Sequence, residues 1–152
     1  MHWPWSRAKH KAVTPFVVRE REAYASIEEA RLWCEELVRR RSAGSDKAVL
    51  TALHREIGMA GLHASHHLRA ERRRTMLAQA HARTAQRIDA SQDGVRIGSL
   101  GVLIDQALER VQPALGVEGL CDEMEEAHRR LLSARELLVA ARAEPRRLTP
   151  HR

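Results

Sequence analysis

The sequence predicts an all-α fold, a four- or five-helix bundle, elongated if its long central helical stretch runs unbroken. Three observations lead there. Apolar residues recur at steps of three and four over most of the chain. No alternating strand pattern follows residue 20. The prolines (Pro4, Pro15, Pro113, Pro145 and Pro150) all fall outside the periodic stretches.

Residues 1–15 read as a flexible basic arm, punctuated by Pro4 and Pro15 and lacking a helical period. Phe16-Val17-Val18 either opens a helix behind Thr14 and Pro15 or forms a short extended piece. Ser26-Ile27-Glu28-Glu29 matches a capping box, in which Ser26 and Glu29 each satisfy the other's free amide. A stripe of Ile27, Ala30, Cys34 and Leu37 follows, with Trp33 and Val38 alongside. Arg39, Arg40 and Arg41 suit the negative end of that helix, and Gly44 stops it.

Residues 46–91 contain no proline and read as helix almost throughout. Val49, Leu50, Leu53 and Ile57 mark an early face; Leu77, Ala80, Thr84 and Ile88 mark a late one. Unbroken, such a helix is about 67 Å long, whereas a compact globule of this chain length is about 40 Å across. Gly58 and Gly61 are the expected break, since each weakens a helix by about 1 kcal/mol relative to alanine. Ser91-Gln92-Asp93-Gly94 is a turn signal, and a shorter helix follows from Ser99 to Val111, ended by Pro113 and Gly116. The last helix carries a heptad seam of Leu120, Met124, Ala127, Leu131, Ala134, Leu138 and Ala141, and Pro145 ends it. Residues 16–144 thus form one bundle domain, and 145–152 a basic tail.

The 152 residues carry a net charge of +6, and 43% hydrophobic with 30% charged residues is a globular composition rather than a disordered one. No run of about 18 apolar residues is present, so no membrane span is expected. No secretory leader is visible, and cytoplasmic residence is the expectation. Cys34 and Cys121 are expected to be reduced core thiols rather than a bridge. Only Lys9, Lys11 and Lys47 among the 26 basic residues are lysines, an arginine bias that GC-rich codons produce without any acidic ligand. Location is more telling than the total. The excess sits in residues 1–19 (+4), 145–152 (+3) and 46–93 (+3), and the remaining helices are slightly acidic.

Four constellations bear on chemistry. His54, His63, His66, His67 and His81 cluster on the central stretch, and His63 with His67 has the i,i+4 spacing that presents two nitrogen ligands to zinc, copper or haem. Glu125-Glu126-Ala127-His128 contains one Glu-x-x-His, but a di-iron bundle needs two such motifs plus two further glutamates. Arg69, Arg72, Arg73, Arg74, Arg83 and Arg87 are opposed only by Glu71 until Asp89, and their steps of three and four could follow a phosphate backbone. A faint helix-turn-helix pattern spans 53–68, with Gly58-Met59-Ala60 as its turn, although His54 and Ala64 suit that motif poorly. Trp3 and Trp5 among Arg7, Lys9 and Lys11 could anchor at a membrane interface or enter a partner's groove. The segment is too short and proline-broken for an amphipathic helix, and an arm that docks on the parent bundle is equally simple.

Enzyme signatures are missing. The chain has no phosphate-cradling glycine loop, no His-Glu-x-x-His and no Gly-x-Ser-x-Gly, and Ser6-Arg-Ala-Lys9 matches a catalytic pattern by letter only. The leading expectation is therefore a non-enzymatic helical interaction protein without a cofactor. It would self-associate, or bind a helical protein partner, through Leu120, Met124, Leu131 and Leu138. The alternative is a small nucleic-acid-binding regulator using the six arginines, and the third reading is a metal or haem bundle built on His63 and His67. Membrane contact is not expected.

Overall fold

The computed structural model of the chain describes residues 4–40, 45–92, 94–119 and 121–143, and the side chains of 19–40, 46–92, 94–119 and 122–142. Among these residues lie five α-helices: α1 (Pro4–Arg40), α2 (Ser45–Ala64), α3 (Ala70–Ala90), α4 (Ile97–Val111) and α5 (Cys121–Ala143). A 3₁₀ segment, Gln112–Gly116, links the last two. No strand occurs among the described residues, and no helix is long and apolar enough to cross a membrane.

Four of the helices make the bundle. α1 packs against α2 and α4, and α5 against the same two, so α1 and α5 face each other across the diagonal. The core is filled by Ile27, Trp33 and Leu37 of α1, Leu50, Leu53 and Ile57 of α2, Leu100 and Ile104 of α4, and Met124 and Leu131 of α5. α3 stands outside this square and packs on α1 alone. Its apolar face at Leu77, Ala80, Thr84 and Ile88 turns inward as the periodicity predicts, but only Ala80 and Thr84 are buried.

The predicted long central helix is two helices, and the break is not at the glycines. α2 runs through Gly58 and Gly61 and ends at Ala64; residues 65–69 turn, and α3 begins at Ala70. The Ser65 amide still makes the helical bond to the Gly61 carbonyl at 3.0 Å, but the Ser65 hydroxyl donates to the Leu62 carbonyl at 3.2 Å and the His66 amide turns to the His63 carbonyl at 3.2 Å, which ends the helix. Buried Leu68 then pins the turn. This continuity also removes the helix-turn-helix reading of 53–68, because Gly58-Met59-Ala60 is helical. Gly61 serves a close approach: a Cβ there would sit 2.8 Å from Glu28 Oε1 of α1. At Gly58 the nearest atom is Arg31 Cδ at 4.0 Å, so nothing there requires a glycine for packing.

Two further expectations change. The backbone of residues 4–15 is not an irregular arm but the start of α1. Pro4 suits the first helical position, whereas Pro15 forgoes the bond its missing N–H cannot make. Ser26 lies in the middle of that helix, so Ser26 to Glu29 is no capping box; Glu29 instead reaches α3. The side chains of Trp3 and Trp5, and the tail 145–152, lie outside the described residues.

The turn before α4 follows the sequence signal. Gly94 adopts φ +77°, a region other residues avoid, and Ser91 Oγ donates to its carbonyl at 2.6 Å. Trp33 ties this connection to α1 by donating its indole N–H to the Arg96 carbonyl at 2.8 Å.

Urea denaturation provides the check. Leu131→Ala is expected to cost about 2–5 kcal/mol, since Leu131 is fully buried. Gly58→Ala should add about 1 kcal/mol of stability. Gly61→Ala should be less stable than the parent, because its methyl displaces a Glu28 carboxylate already held by Arg31.

Candidate functional site

The heptad seam proposed as an outward contact is spent inside the chain. Met124 and Leu131 are fully buried and Leu138 nearly so, within the core shared by α2, α4 and α5. Leu120 lies outside the described residues. The seam is therefore legible as a packing surface but offers no free face for a partner.

The arginine series divides into two sets. α3 runs parallel to α1, because α2 lies antiparallel to both. Glu20 of α1 thus lies near Arg72, and Glu29 near Arg83 and Arg87. Arg87 donates to Glu29 Oε1 at 3.1 Å, and Arg83 to Oε2 at 3.5 Å, although both guanidiniums remain about half exposed. Arg72 turns inward, with one guanidinium nitrogen buried and without a hydrogen-bond partner. Arg69, Arg73 and Arg74 are exposed, and no carboxylate among the described residues lies within 4.0 Å of them. The inner arginines anchor the helix, and the outer ones face solvent.

A polar cluster gathers at the α2–α3 turn. His63 Nδ1 donates to Glu123 Oε2 of α5 at 2.8 Å, since a carboxylate only accepts. That bond, with the nearby charges of His66, His63 and His67, lowers the Glu123 carboxyl below its usual value of 4.5. His66 and His67 stack edge to face, ring centroids 4.9 Å apart, and with Gly119, Asp122 and Glu123 line a recess of about 280 Å³. Glu20 is only 3% exposed, and its Oε1 has no partner. Burial raises its carboxyl above 4.5, against the opposing effects of a hydrogen bond from the His67 amide and the charge of Arg72. His63 and His67 do not assemble as a metal centre: no group of three His, Cys, Asp or Glu among the described residues is placed to hold an ion. His54 lies apart, its Nε2 3.5 Å from Glu35. Glu126 is taken by Arg129 and Arg130. Cys34 is a free buried thiol bonded to the Leu50 carbonyl at 3.4 Å; burial, then the charge of Glu35, pushes it up to about 12. The side chain of Cys121 lies outside the described residues.

Sequence reasoning missed the carboxylates of α1. Glu20, Glu28 and Glu29 are at most 6% exposed, as buried as many of their apolar neighbours. Tyr24 lies between them, its hydroxyl pushed up to about 12 by burial and by its hydrogen-bonded neighbour Glu28. The available signal was the four-residue spacing of Glu20, Tyr24 and Glu28 on one helix face.

The two carboxylates at the turn have opposite pH signatures. Glu123 is lowered in the folded state, so its contribution is complete above the usual 4.5 and is lost as pH falls through the lowered value. Glu20 is raised, so it favours folding at low pH and opposes it once ionised. Thermal unfolding as a function of pH should therefore show Glu123→Gln flattening the acid limb, and Glu20→Gln raising the midpoint at neutral pH but not in acid. Compared with protein families, with curated proteins and with solved structures, the chain matches none of them.

Proposed function

We propose that this chain is a non-enzymatic binding protein that meets an acidic partner, the phosphate backbone of a nucleic acid, through the exposed arginines at the N-terminal end of α3. The observation that carries this reading is the position of that helix. α3 packs on α1 alone, buries two side chains and leaves Arg69, Arg73 and Arg74 exposed, with no carboxylate among the described residues within 4.0 Å of them. Among the described residues, the core-facing apolar side chains of the other four helices are buried against one another. The large apolar side chains left exposed there are Leu62, Val102, Leu137 and Val139, which favours charge as the means of recognition. Three guanidinium groups clustered at one end of a rigid helix can make several phosphate contacts together, and these position a duplex without reading its bases. Recognition of this kind is independent of sequence and strongly salt-dependent.

Fluorescence anisotropy with a labelled DNA duplex, repeated across salt concentrations, tests the reading. The expected result is binding that weakens steeply with salt. In the triple variant Arg69→Ala, Arg73→Ala, Arg74→Ala, the slope of log K against log salt should fall by about 3. Binding by the triple variant equal to that of the parent, or no salt-dependent binding by the parent, overturns it.

A further inference from the structure

Between α1, α2 and the first turn of α3 lies a cleft of about 320 Å³, at the small end of ligand-sized cavities. Its floor is the glycine pair of α2. Gly58 has no left-handed backbone and no neighbour closer than 4.0 Å, although glycine is a poor helix former; what its missing side chain leaves is open space in this cleft.

The walls have mostly settled their own polar needs. The Glu28 carboxylate is 6% exposed and is bonded by Arg31 and by the Tyr24 hydroxyl. Arg31 also donates to Glu35 at 3.1 Å, and the Ser65 hydroxyl is committed to the Leu62 carbonyl. Two functions are left unspent at the mouth. One is the guanidinium of Arg73, without an ion pair among the described residues; the other is Leu62, 65% exposed and the apolar edge of the cleft. An unpaired planar cation beside an exposed apolar side chain recognises a carboxylate with a short apolar body.

We propose that this cleft is a binding site for a small organic carboxylate, its anionic end on Arg73, its apolar body against Leu62 and over Gly58. The proposal shares Arg73 with the nucleic-acid reading but rests on the cleft beside Gly58 and Leu62, so a variant of the cleft floor separates the two. Amide chemical shifts of Gly58, Gly61 and Ser65 provide the readout, with hexanoate as probe and hexanol and acetate as controls. Saturable shifts confined to these amides are expected with hexanoate. Affinity should be about tenfold weaker for each control and for Arg73→Met. Gly58→Leu fills the floor and should abolish the shifts; Gly58→Ala, which should remain folded and more stable, should weaken hexanoate severalfold. Duplex binding by Gly58→Ala should equal that of the parent, which keeps the two readings apart. Absence of saturable shifts, equal binding of hexanol, or unchanged hexanoate affinity in folded Arg73→Met and Gly58→Ala overturns the proposal.

Discussion

Buried carboxylates on α1 organise what lies around them. Glu20, Glu28 and Glu29 are withdrawn from water on a helix that also supplies Ile27, Trp33 and Leu37 to the core. A carboxylate in such a place is costly unless a cation or an amide answers it. Glu28 is answered by Arg31 on its own helix, but Glu29, among the described residues, is answered from α3, by Arg83 and Arg87. Glu20 is met by the His67 amide and the charge of Arg72. α3 contributes little apolar burial, through Ala80, Thr84 and partly buried Ile88, and its ion pairs to Glu29 add to that packing. Its orientation agrees with its dipole: Glu20 lies by its positive end, and Arg87 occupies its last turn.

That division gives α3 two sets of arginines with different duties. The inner arginines are consumed in holding the helix, and substituting them would leave a buried charge on α1 unpaired. The outer arginines are structurally idle in the isolated chain. Net charge per segment hides this difference, because both sets count equally toward the positive sum of the central stretch. What separates anchoring from display is whether an α1 carboxylate lies close, Glu29 for Arg83 and Arg87 and Glu20 for Arg72.

Where hydrophobic period dominated, the fold was legible in the residues. The seam Met124, Ala127, Leu131, Ala134 and Leu138, the stripe Ile27 to Leu37 and the inward face of α3 all lie where their spacing puts them. What was not legible concerns backbone hydrogen bonds and glycine. Gly58 and Gly61 look like a break in a list of propensities, yet tight packing of α2 on α1 outweighs a loss of about 1 kcal/mol apiece. The true stop depends on Ser65, whose side chain competes for a carbonyl, a local signal too weak to rank above two glycines. Buried Glu29 was hidden by its resemblance to a capping partner of Ser26. The histidine pair was visible by spacing, but the partner of His63 comes from α5, sixty residues away, beyond the reach of local pattern.

The thiol of Cys34 also carries a kinetic consequence. A group with no exposed surface, whose thiolate is suppressed well past neutral pH, cannot react with an alkylating reagent from the folded state. Because it packs between α1 and the Leu50 carbonyl of α2, only an excursion that parts those two helices uncovers it. Its labelling rate is thus a built-in clock for opening of the bundle itself, blind to fraying at helix ends and to any movement of the peripheral α3.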